Sequence, residues 1–217
     1  MRFCFLLLCF ACFVSSVAGE EYRPELFQSL KLLYEDDFSS GKLDTKHWQI
    51  RQGSTWVVKD GVLVGGPSPK EYQDKKVAEG DKAHAGFKPV IFLEKVPENL
   101  VVHFRVRFDA ENYAAKFPLI DIGHHFNSLN FSKNKTTLTL KNDPKSAQTK
   151  ELSLPLNQWV DVSIELKKGT LLLKLDGKKV LFEDSRIDMV GQQQIDFKGV
   201  DHGGIRIDNV KVYEGVL

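Results

Sequence analysis

Cysteine is scarce in this sequence, and its placement excludes several kinds of chemistry. All three cysteines, Cys4, Cys9 and Cys12, lie within the first eighteen residues. If that segment is removed during export, the remaining chain has no disulfide, no cysteine nucleophile and no thiolate metal ligand. The mature chain of about 199 residues is nevertheless long enough to be stable through its hydrophobic core alone.

Long hydrophobic runs are lacking as well. The longest, FCFLLLCFACFV, has twelve residues, whereas a transmembrane helix needs about 20. Arg2 precedes this run and the small residues of SSVAG follow it, which is the pattern of a secretory signal peptide. We therefore predict a signal peptide over residues 1–18, no stable membrane insertion, and a secreted or periplasmic protein. A lipid anchor at Cys12 is the competing interpretation.

The chain also lacks an excess of charge of either sign. Outside the predicted signal peptide it has 29 basic and 29 acidic residues. No basic tract and no stripe of alternating basic and aromatic residues is present, so nucleic acid is not expected as a partner. A neutral ligand such as a sugar is compatible with this balance, and the sequence does not indicate an oligomeric state.

Hydrophobic alternation with a period of two residues is abundant from residue 33 onward. In NLVVHFRVRFDA the apolar face consists of Leu100, Val102, Phe104, Val106 and Phe108. QWVDVSIELKKG has the same design, and the pairs Asp60-Gly61 and Asp176-Gly177 predict tight hairpin turns. Roughly ten to twelve strands at this spacing predict an all-β sandwich of two antiparallel sheets.

Helical patterning is nearly absent. Only RPELFQSLKLL, residues 23–33, is typical of a helix, so we expect residues 19–32 to be a lead-in with at most a short N-terminal helix. Residues 33–217 are then a single β-sandwich domain. The least regular segment is the polar connection over residues 66–86, and long connections on a rigid sandwich often carry binding residues.

The last predicted strand contains an irregularity. Ile205 and Ile207 alternate, but the pattern slips by one at Asp208-Asn209 before Val210, as in a β-bulge. Such a bulge can direct the Asp208 carboxylate at an ion held near the first strand. The alternative is a surface bulge without a ligand.

Several of these segments together resemble a known superfamily. EDDFSSGKLDTKHWQI, WVVKDGVLVG, QWVDVSIELKKGTLLLKLDGKKV and GGIRIDNVKVYE resemble the concanavalin A-like lectin/glucanase superfamily. More narrowly, they resemble small secreted bacterial domains of the 3-keto-disaccharide hydrolase-like family. The resemblance covers residues 33–213 and implies a curved jelly roll with its ligand on the concave sheet.

The resemblance also implies candidate site residues. His84 in HAGF and His124 in IGHHF lie where such relatives tend to carry a histidine. Calcium-binding members of the superfamily hold the ion between the first and last strands through backbone oxygens and one aspartate. Asp208 is the matching residue, and Asp37 and Gly61 are weaker candidates. A structural Ca²⁺ is therefore an expectation, for which about six or more oxygen ligands would be needed.

Standard glycosidase machinery is missing. Family 16 glycoside hydrolases share this fold and place a nucleophile and an acid on one strand face through E-x-D-x-x-E. No such segment occurs here, and no G-x-S-x-G, H-E-x-x-H or phosphate-binding loop is present. Asp161, Ser163 and Glu165 share one strand face, but that face is expected to be solvated outer sheet.

Histidines, carboxylates and arginines remain as candidate machinery. We hypothesise that His84 and His124 face a shared cleft, one acting as a base or metal ligand, with Arg105 or Arg107 holding the sugar. Proton abstraction beside a carbonyl uses such groups. His124 and His125 would point to opposite sides if the strand continues, so only His124 is expected to face the site.

The simpler alternative is that these histidines are ordinary polar residues, His103 on a sheet face and His202 as a cap in a loop. Sugar binding without chemistry would instead use aromatic platforms. Trp48 and Trp56 are expected in the core, and Trp159 is expected to cover an outer face. The candidate substrate-binding residues are Arg105, Arg107, His103, Tyr72, Tyr113 and His202.

The sequence therefore favours an exported carbohydrate-binding module without a standard glycosidase carboxylate pair. The alternative is a 3-keto-glycoside hydrolase or lyase that uses histidine acid/base or metal-assisted chemistry at His84 and His124. A further alternative is a cell-envelope interaction domain without a sugar ligand.

Overall fold

The structure is a computed structural model that describes residues 22–189 and 192–217. The predicted signal peptide lies outside the described residues. The strands are β1 (Ser29–Asp36), β2 (Trp48–Arg51), β3 (Thr55–Lys59), β4 (Val62–Gly66), β5 (Val90–Glu94), β6 (Leu100–Asp109), β7 (Leu119–Ile122), β8 (Asn127–Phe131), β9 (Thr136–Leu140), β10 (Asp143–Lys150), β11 (Val160–Lys167), β12 (Thr170–Leu175), β13 (Lys178–Glu183), β14 (Gln194–Lys198) and β15 (Gly204–Val216). Helix α1 comprises Lys70–Ala78, and a 3₁₀ turn follows at Lys82–His84.

These strands form two antiparallel sheets, which confirms the predicted all-β jelly-roll sandwich. The eight-stranded sheet has the order β13-β12-β11-β6-β15-β4-β3, with β1 paired to β15. The seven-stranded sheet has the order β10-β9-β8-β7-β14-β5-β2. Among the described residues, seven of the thirteen neighbouring pairs join strands that are not consecutive in sequence, so both sheet surfaces combine distant parts of the chain.

The core between the sheets is built from the predicted alternation. In β6 the apolar residues are buried, while His103, Arg105 and Arg107 lie on the opposite face and are partly exposed. Phe104 of the eight-stranded sheet meets Phe197 of the seven-stranded sheet edge-to-face, with ring centroids 5.1 Å apart. Burying a side chain of this size contributes about 1.5–3 kcal/mol, so such contacts hold the sheets together.

Both predicted Asp-Gly turns are confirmed. Asp60 and Gly61 have φ values of 52° and 71° between β3 and β4, and Asp176 and Gly177 have values of 46° and 77° between β12 and β13. Two consecutive left-handed residues give the turn whose twist matches that of the flanking strands. The predicted placement of Trp48 and Trp56 in the core is also confirmed.

The helical pattern of residues 23–33 does not form a helix, which is consistent with the expectation of at most a short one. Ser29–Asp36 forms β1, which pairs with β15 from Ser29–Val216 to Asp36–Val210. Pairing along a long strand overrides a weak helical pattern, because strand formation depends on packing against the neighbouring strands. The sandwich therefore begins before residue 33.

The helix lies instead in the polar connection of residues 66–86. Helix α1 buries none of its residues and consists largely of good helix formers. The ends of the connection are tied together, because Ser68 Oγ donates to the Ala85 carbonyl at 3.0 Å. Gly86, with φ 72°, approaches the Gln52 carbonyl so closely that a Cβ on Gly86 would lie 2.3 Å from the carbonyl oxygen.

No helix in the described ranges is long and apolar enough to cross a membrane.

Candidate functional site

A cleft of about 1140 Å³ lies over the face of the seven-stranded sheet that points away from the core. Its floor is formed by side chains of the central strands, and the connection carrying α1 contributes Tyr72 and His84 to its lining. Strand pairing places one row of side chains across six strands of this floor. The row consists of Gln49, Phe92, Asp196, Asp121, Ser128 and Thr139.

Two buried carboxylates stand side by side in the middle of this row. Asp121 of β7 is directly opposite Asp196 of β14, and both side chains are fully buried. Directly opposed like charges destabilise a sheet, and buried carboxylates require compensating partners. The pair can therefore persist only because other groups neutralise it.

Lys198, which itself lines the cleft, supplies that compensation. Its Nζ lies 3.1 Å from Asp121 Oδ2 and 3.0 Å from Asp196 Oδ2. Ser128 Oγ also donates to Asp121 at 3.1 Å. Burial raises the pKa of Asp121, but the hydrogen bond from His125 and the charge of Lys198 outweigh burial and hold this pKa below its usual value.

Two histidines complete the arrangement on the cleft side. His124 Nδ1 lies 3.0 Å from Asp196 Oδ2, and His125 Nδ1 lies 3.2 Å from Asp121 Oδ2. The two rings line the cleft with centroids 4.3 Å apart, and their side chains are 33% and 47% exposed. We call Asp121, His124, His125, Asp196 and Lys198 the His–Asp–Lys cluster.

The expectation that His125 faces away from His124 is therefore wrong. Gly123, His124 and His125 have φ values of 78°, 49° and 75°, three left-handed residues in succession. Side chains alternate between faces only while the strand continues, and this turn ends the alternation immediately after β7. The His125 N–H donates to both Asp121 oxygens at 3.0 Å, which fixes the turn over the buried carboxylate.

Three of the predicted site residues line the same cleft: His84, His124 and Tyr72. His84 is largely exposed, and its Nδ1 lies 2.7 Å from Asp81 Oδ1. Tyr72 lies against Gly53, where a Cβ would be 2.8 Å from the tyrosine Cε2. The structure thus brings together the two histidines that were predicted to share a cleft.

The predicted grouping of Arg105 or Arg107 with these histidines is wrong. Both arginines and His103 are on β6 of the eight-stranded sheet, so the core separates them from the cleft. Arg105 lies 3.6 Å from Asp161 and packs over the Trp159 ring, consistent with Trp159 covering an outer face. His103 contacts Ser163 Oγ at 3.0 Å, and burial lowers its pKa.

Tyr113 and His202 do not line the cleft either. The Tyr113 hydroxyl donates to the Leu154 carbonyl at 2.8 Å, so the ring belongs to the packing of the connections. His202 has φ 61°, and its backbone N–H donates to the Phe87 carbonyl at 2.7 Å. Both are therefore placed as structural residues rather than as sugar contacts.

The expectation of a solvated face around Glu165 is wrong. Glu165 is fully buried, because the segment that precedes β1 crosses this face of the eight-stranded sheet. Its carboxylate accepts hydrogen bonds from the Tyr22 hydroxyl at 2.7 Å and from the backbone N–H groups of Glu25 and Leu26 at 2.7–2.9 Å. Burial, with Glu165 adding to it, raises the pKa of Tyr22.

Two members of the cluster, Asp196 and Lys198, were missed by the sequence analysis. They lie in QIDFK, whose polar and apolar residues alternate, so a period-two pattern was available. A different segment, Leu119-x-Asp121-x-x-His124, has the spacing of E-x-D-x-x-E with leucine and histidine at the outer positions.

The predicted bulge near the calcium candidates is confirmed. The register of β15 against β6 shifts between Asp208 and Lys211. Burial raises the pKa of Asp208, and the charge of Asp37 adds to this effect. The Asp37 carbonyl oxygen lies close to Gly61, because a Cβ built on Gly61 would be 3.9 Å from that oxygen. A partly buried carboxylate and a backbone carbonyl oxygen are donors of the type that Ca²⁺ takes.

No group of three or more histidine, cysteine, aspartate or glutamate side chains within the described part of the chain could hold a metal. Calcium therefore remains a prediction that depends on backbone oxygens.

We expect saturating Ca²⁺ to raise the melting temperature, since a ligand at about 100 times its Kd stabilises the fold by about 2.7 kcal/mol. Asp208→Asn should abolish the rise, and Asp161→Asn, on the other side of Arg105, should preserve it. A melting temperature that neither Ca²⁺ nor a chelator changes would rule out the site.

Comparison with known proteins identifies the fold. No protein-family model matches the sequence, and no curated protein matches it either. A non-specific endo-β-1,3(4)-glucanase of family GH16, SCLam, is 16% identical with a TM-score of 0.60, covering 89% of this chain and 94% of its own. The cellulose induced protein Cip1 is 15% identical with a TM-score of 0.60, covering 85% and 99%.

The catalytic domain of an endo-1,3-β-glucanase (laminarinase) from Thermotoga petrophila RKU-1 is 10% identical, with a TM-score of 0.58 and coverage of 86% and 98%. Likeness at these identities establishes the fold alone. The chain has a two-sheet jelly-roll fold similar to that of these GH16 endo-glucanase structures.

Proposed function

We propose that the cleft binds a carbohydrate and that His124 and His125 transfer protons to and from it. The observation that carries this proposal is the His–Asp–Lys cluster, in which each of two cleft-lining histidines is backed by a buried aspartate. A carbohydrate ligand is supported by the fold, because the glucanases of similar structure act on glycans.

Each aspartate orients one imidazole and thereby defines the role of its outer nitrogen. When Nδ1 carries a proton and donates it to the aspartate, Nε2 is an acceptor on the far side of the ring. A protonated ring donates from Nε2 instead. The two ring centroids lie only 4.3 Å apart, so a neutral ring and a protonated ring would offer a base and an acid to one ligand.

A keto-glycoside is a substrate that this pair could cleave. The ketone acidifies the neighbouring C–H bond, so the neutral histidine can take that proton. The electron pair of the broken C–H bond then forms an enolate with the ketone. The electron pair then forms a carbon–carbon double bond as the glycosidic C–O bond breaks. The protonated histidine gives its proton to the departing oxygen. Elimination alone makes the protein a lyase, and addition of water to the double bond makes it a hydrolase.

A non-catalytic sugar-binding module is the second candidate. It is favoured by the absence of aspartate and glutamate from the cleft lining within the described residues. A retaining or inverting glycosidase needs two carboxyl groups across the scissile bond. Asp121 and Asp196 are buried beneath the histidines and cannot take those positions.

Turnover decides between the two candidates. The protein should release monosaccharide from 3-keto-disaccharides, followed by chromatography, and the parent disaccharides without the ketone should stay intact as the control. Binding to a glycan array without turnover would support the sugar-binding module. Neither turnover nor binding to any glycan would contradict both and favour a cell-envelope interaction domain.

A further inference from the structure

The cleft concentrates positive charge that the balanced composition of the chain conceals. Six of its described lining residues are lysine or arginine: Arg51, Lys76, Lys88, Lys116, Lys135 and Lys198. The described lining contains no carboxylate. Asp121 and Asp196 are buried beneath the lining, and their carboxylates already contact Lys198 and the two histidines.

Most of these cations have a partner outside the cleft. Arg51 lies 3.7 Å from Glu94, Lys76 lies 3.0 Å from Glu79, and Lys88 lies 3.2 Å from Asp201. Lys116 and Lys135 differ, because no carboxylate of the described chain lies within ion-pair distance of either ammonium group. Their charges are available to a ligand.

The backbone holds these two lysines at one end of the cleft. The Lys116 carbonyl accepts a hydrogen bond from the Asn130 side chain, and the Lys135 carbonyl accepts one from the Ser132 N–H at 2.9 Å. Lys116 precedes β7, whereas His124 follows it. Because a strand rises about 3.4 Å per residue, β7 alone spans about 10 Å, and the lysines and the histidines lie beyond its opposite ends.

We propose that the cleft selects an anionic carbohydrate, whose carboxylate or sulfate group binds Lys116 and Lys135 while a neighbouring sugar unit lies against His124 and His125. This inference rests on the proposed function of the cleft. Uronates and sulfate esters share a compact anionic oxygen group, which lysine binds as a point charge without needing a fixed bidentate geometry. A lining without carboxylates also avoids repelling such a ligand.

Calorimetric titration of the whole protein with three oligosaccharides of equal length tests the inference. One is neutral, one contains uronate and one carries sulfate esters. We expect at least one acidic oligosaccharide to bind about tenfold more tightly than the neutral one at low salt. The advantage should shrink in 1 M NaCl, where screening acts over about 3 Å. The uronate and sulfate titrations identify which anion the cleft prefers.

The double variant Lys116→Gln/Lys135→Gln should lose that advantage and keep its affinity for the neutral oligosaccharide. Lys133→Gln is the matched control, because Lys133 lies in the same β8–β9 turn but does not line the cleft. Equal affinity for acidic and neutral oligosaccharides, or an undiminished preference in the double variant, would contradict the proposed selection of an anionic ligand. Carbohydrate binding in the cleft would still stand. Failure of every oligosaccharide to bind would overturn the proposed function with it.

Discussion

Replacing Lys198 by methionine is expected to reduce the free energy of unfolding by about 3–5 kcal/mol, the usual cost of leaving a buried charge without its partner. The Lys198 ammonium lies about 3 Å from both Asp121 and Asp196. Methionine has a similar volume but no charge, so two opposed carboxylates would remain buried against each other. Urea denaturation followed by tryptophan fluorescence measures the loss.

A rescue experiment separates charge from packing. If the loss comes from uncompensated carboxylates, adding Asp121→Asn and Asp196→Asn to Lys198→Met should recover part of it, because neither buried side chain then carries an uncompensated charge. Lys59→Met, at an exposed position of β3, should change stability by no more than about 0.5 kcal/mol. A Lys198→Met protein as stable as the parent would contradict the ionic role of this lysine.

His124→Asn and His125→Asn are each expected to lower kcat on a cleaved glycoside by about 10²–10⁴-fold, the usual contribution of one general acid or base. Asparagine keeps a polar group beside the aspartate and also tolerates the left-handed backbone at these positions. Circular dichroism should therefore show unchanged folding. Rates on a 3-keto-disaccharide across pH 5–9 provide the measurement.

The pH profile distinguishes proton transfer from a structural role. With one histidine as base and one as acid, the parent profile of kcat/KM should be bell-shaped, and each variant should lose one limb. His103→Asn, on the opposite sheet, is the control and should leave the profile unchanged. Full activity in either the His124 or the His125 variant would show that this histidine is not part of the acid/base pair.

Local patterns predicted most of the framework. Alternation located β6 and β11, and the Asp-Gly pairs located two hairpins, because side-chain period and turn chemistry are properties of short segments. The misplaced helix shows the limit of such patterns. Ser29–Asp36 is a strand because β15 is available beside it, and that neighbour lies at the other end of the chain.

The candidate site was predictable only in part, because it depends on register. The position of Asp196 opposite Asp121 is a consequence of how β14 pairs with β7, and a single sequence does not specify which strands become neighbours. The orientation of His125 failed for another reason. Gly123 and the two residues after it are all left-handed, and this turn returns both rings to one side.

The burial of Glu165 bears on how the protein should be produced. Residues 22–26 look like a removable tail in the sequence, yet Tyr22, Glu25 and Leu26 supply hydrogen bonds to this carboxylate. A recombinant version trimmed to the first residue of β1 would lose all of these hydrogen bonds and leave Lys174, at 3.6 Å, as the ion-pair partner of Glu165 among the described residues. Residues 22–26 should therefore be retained when the protein is expressed.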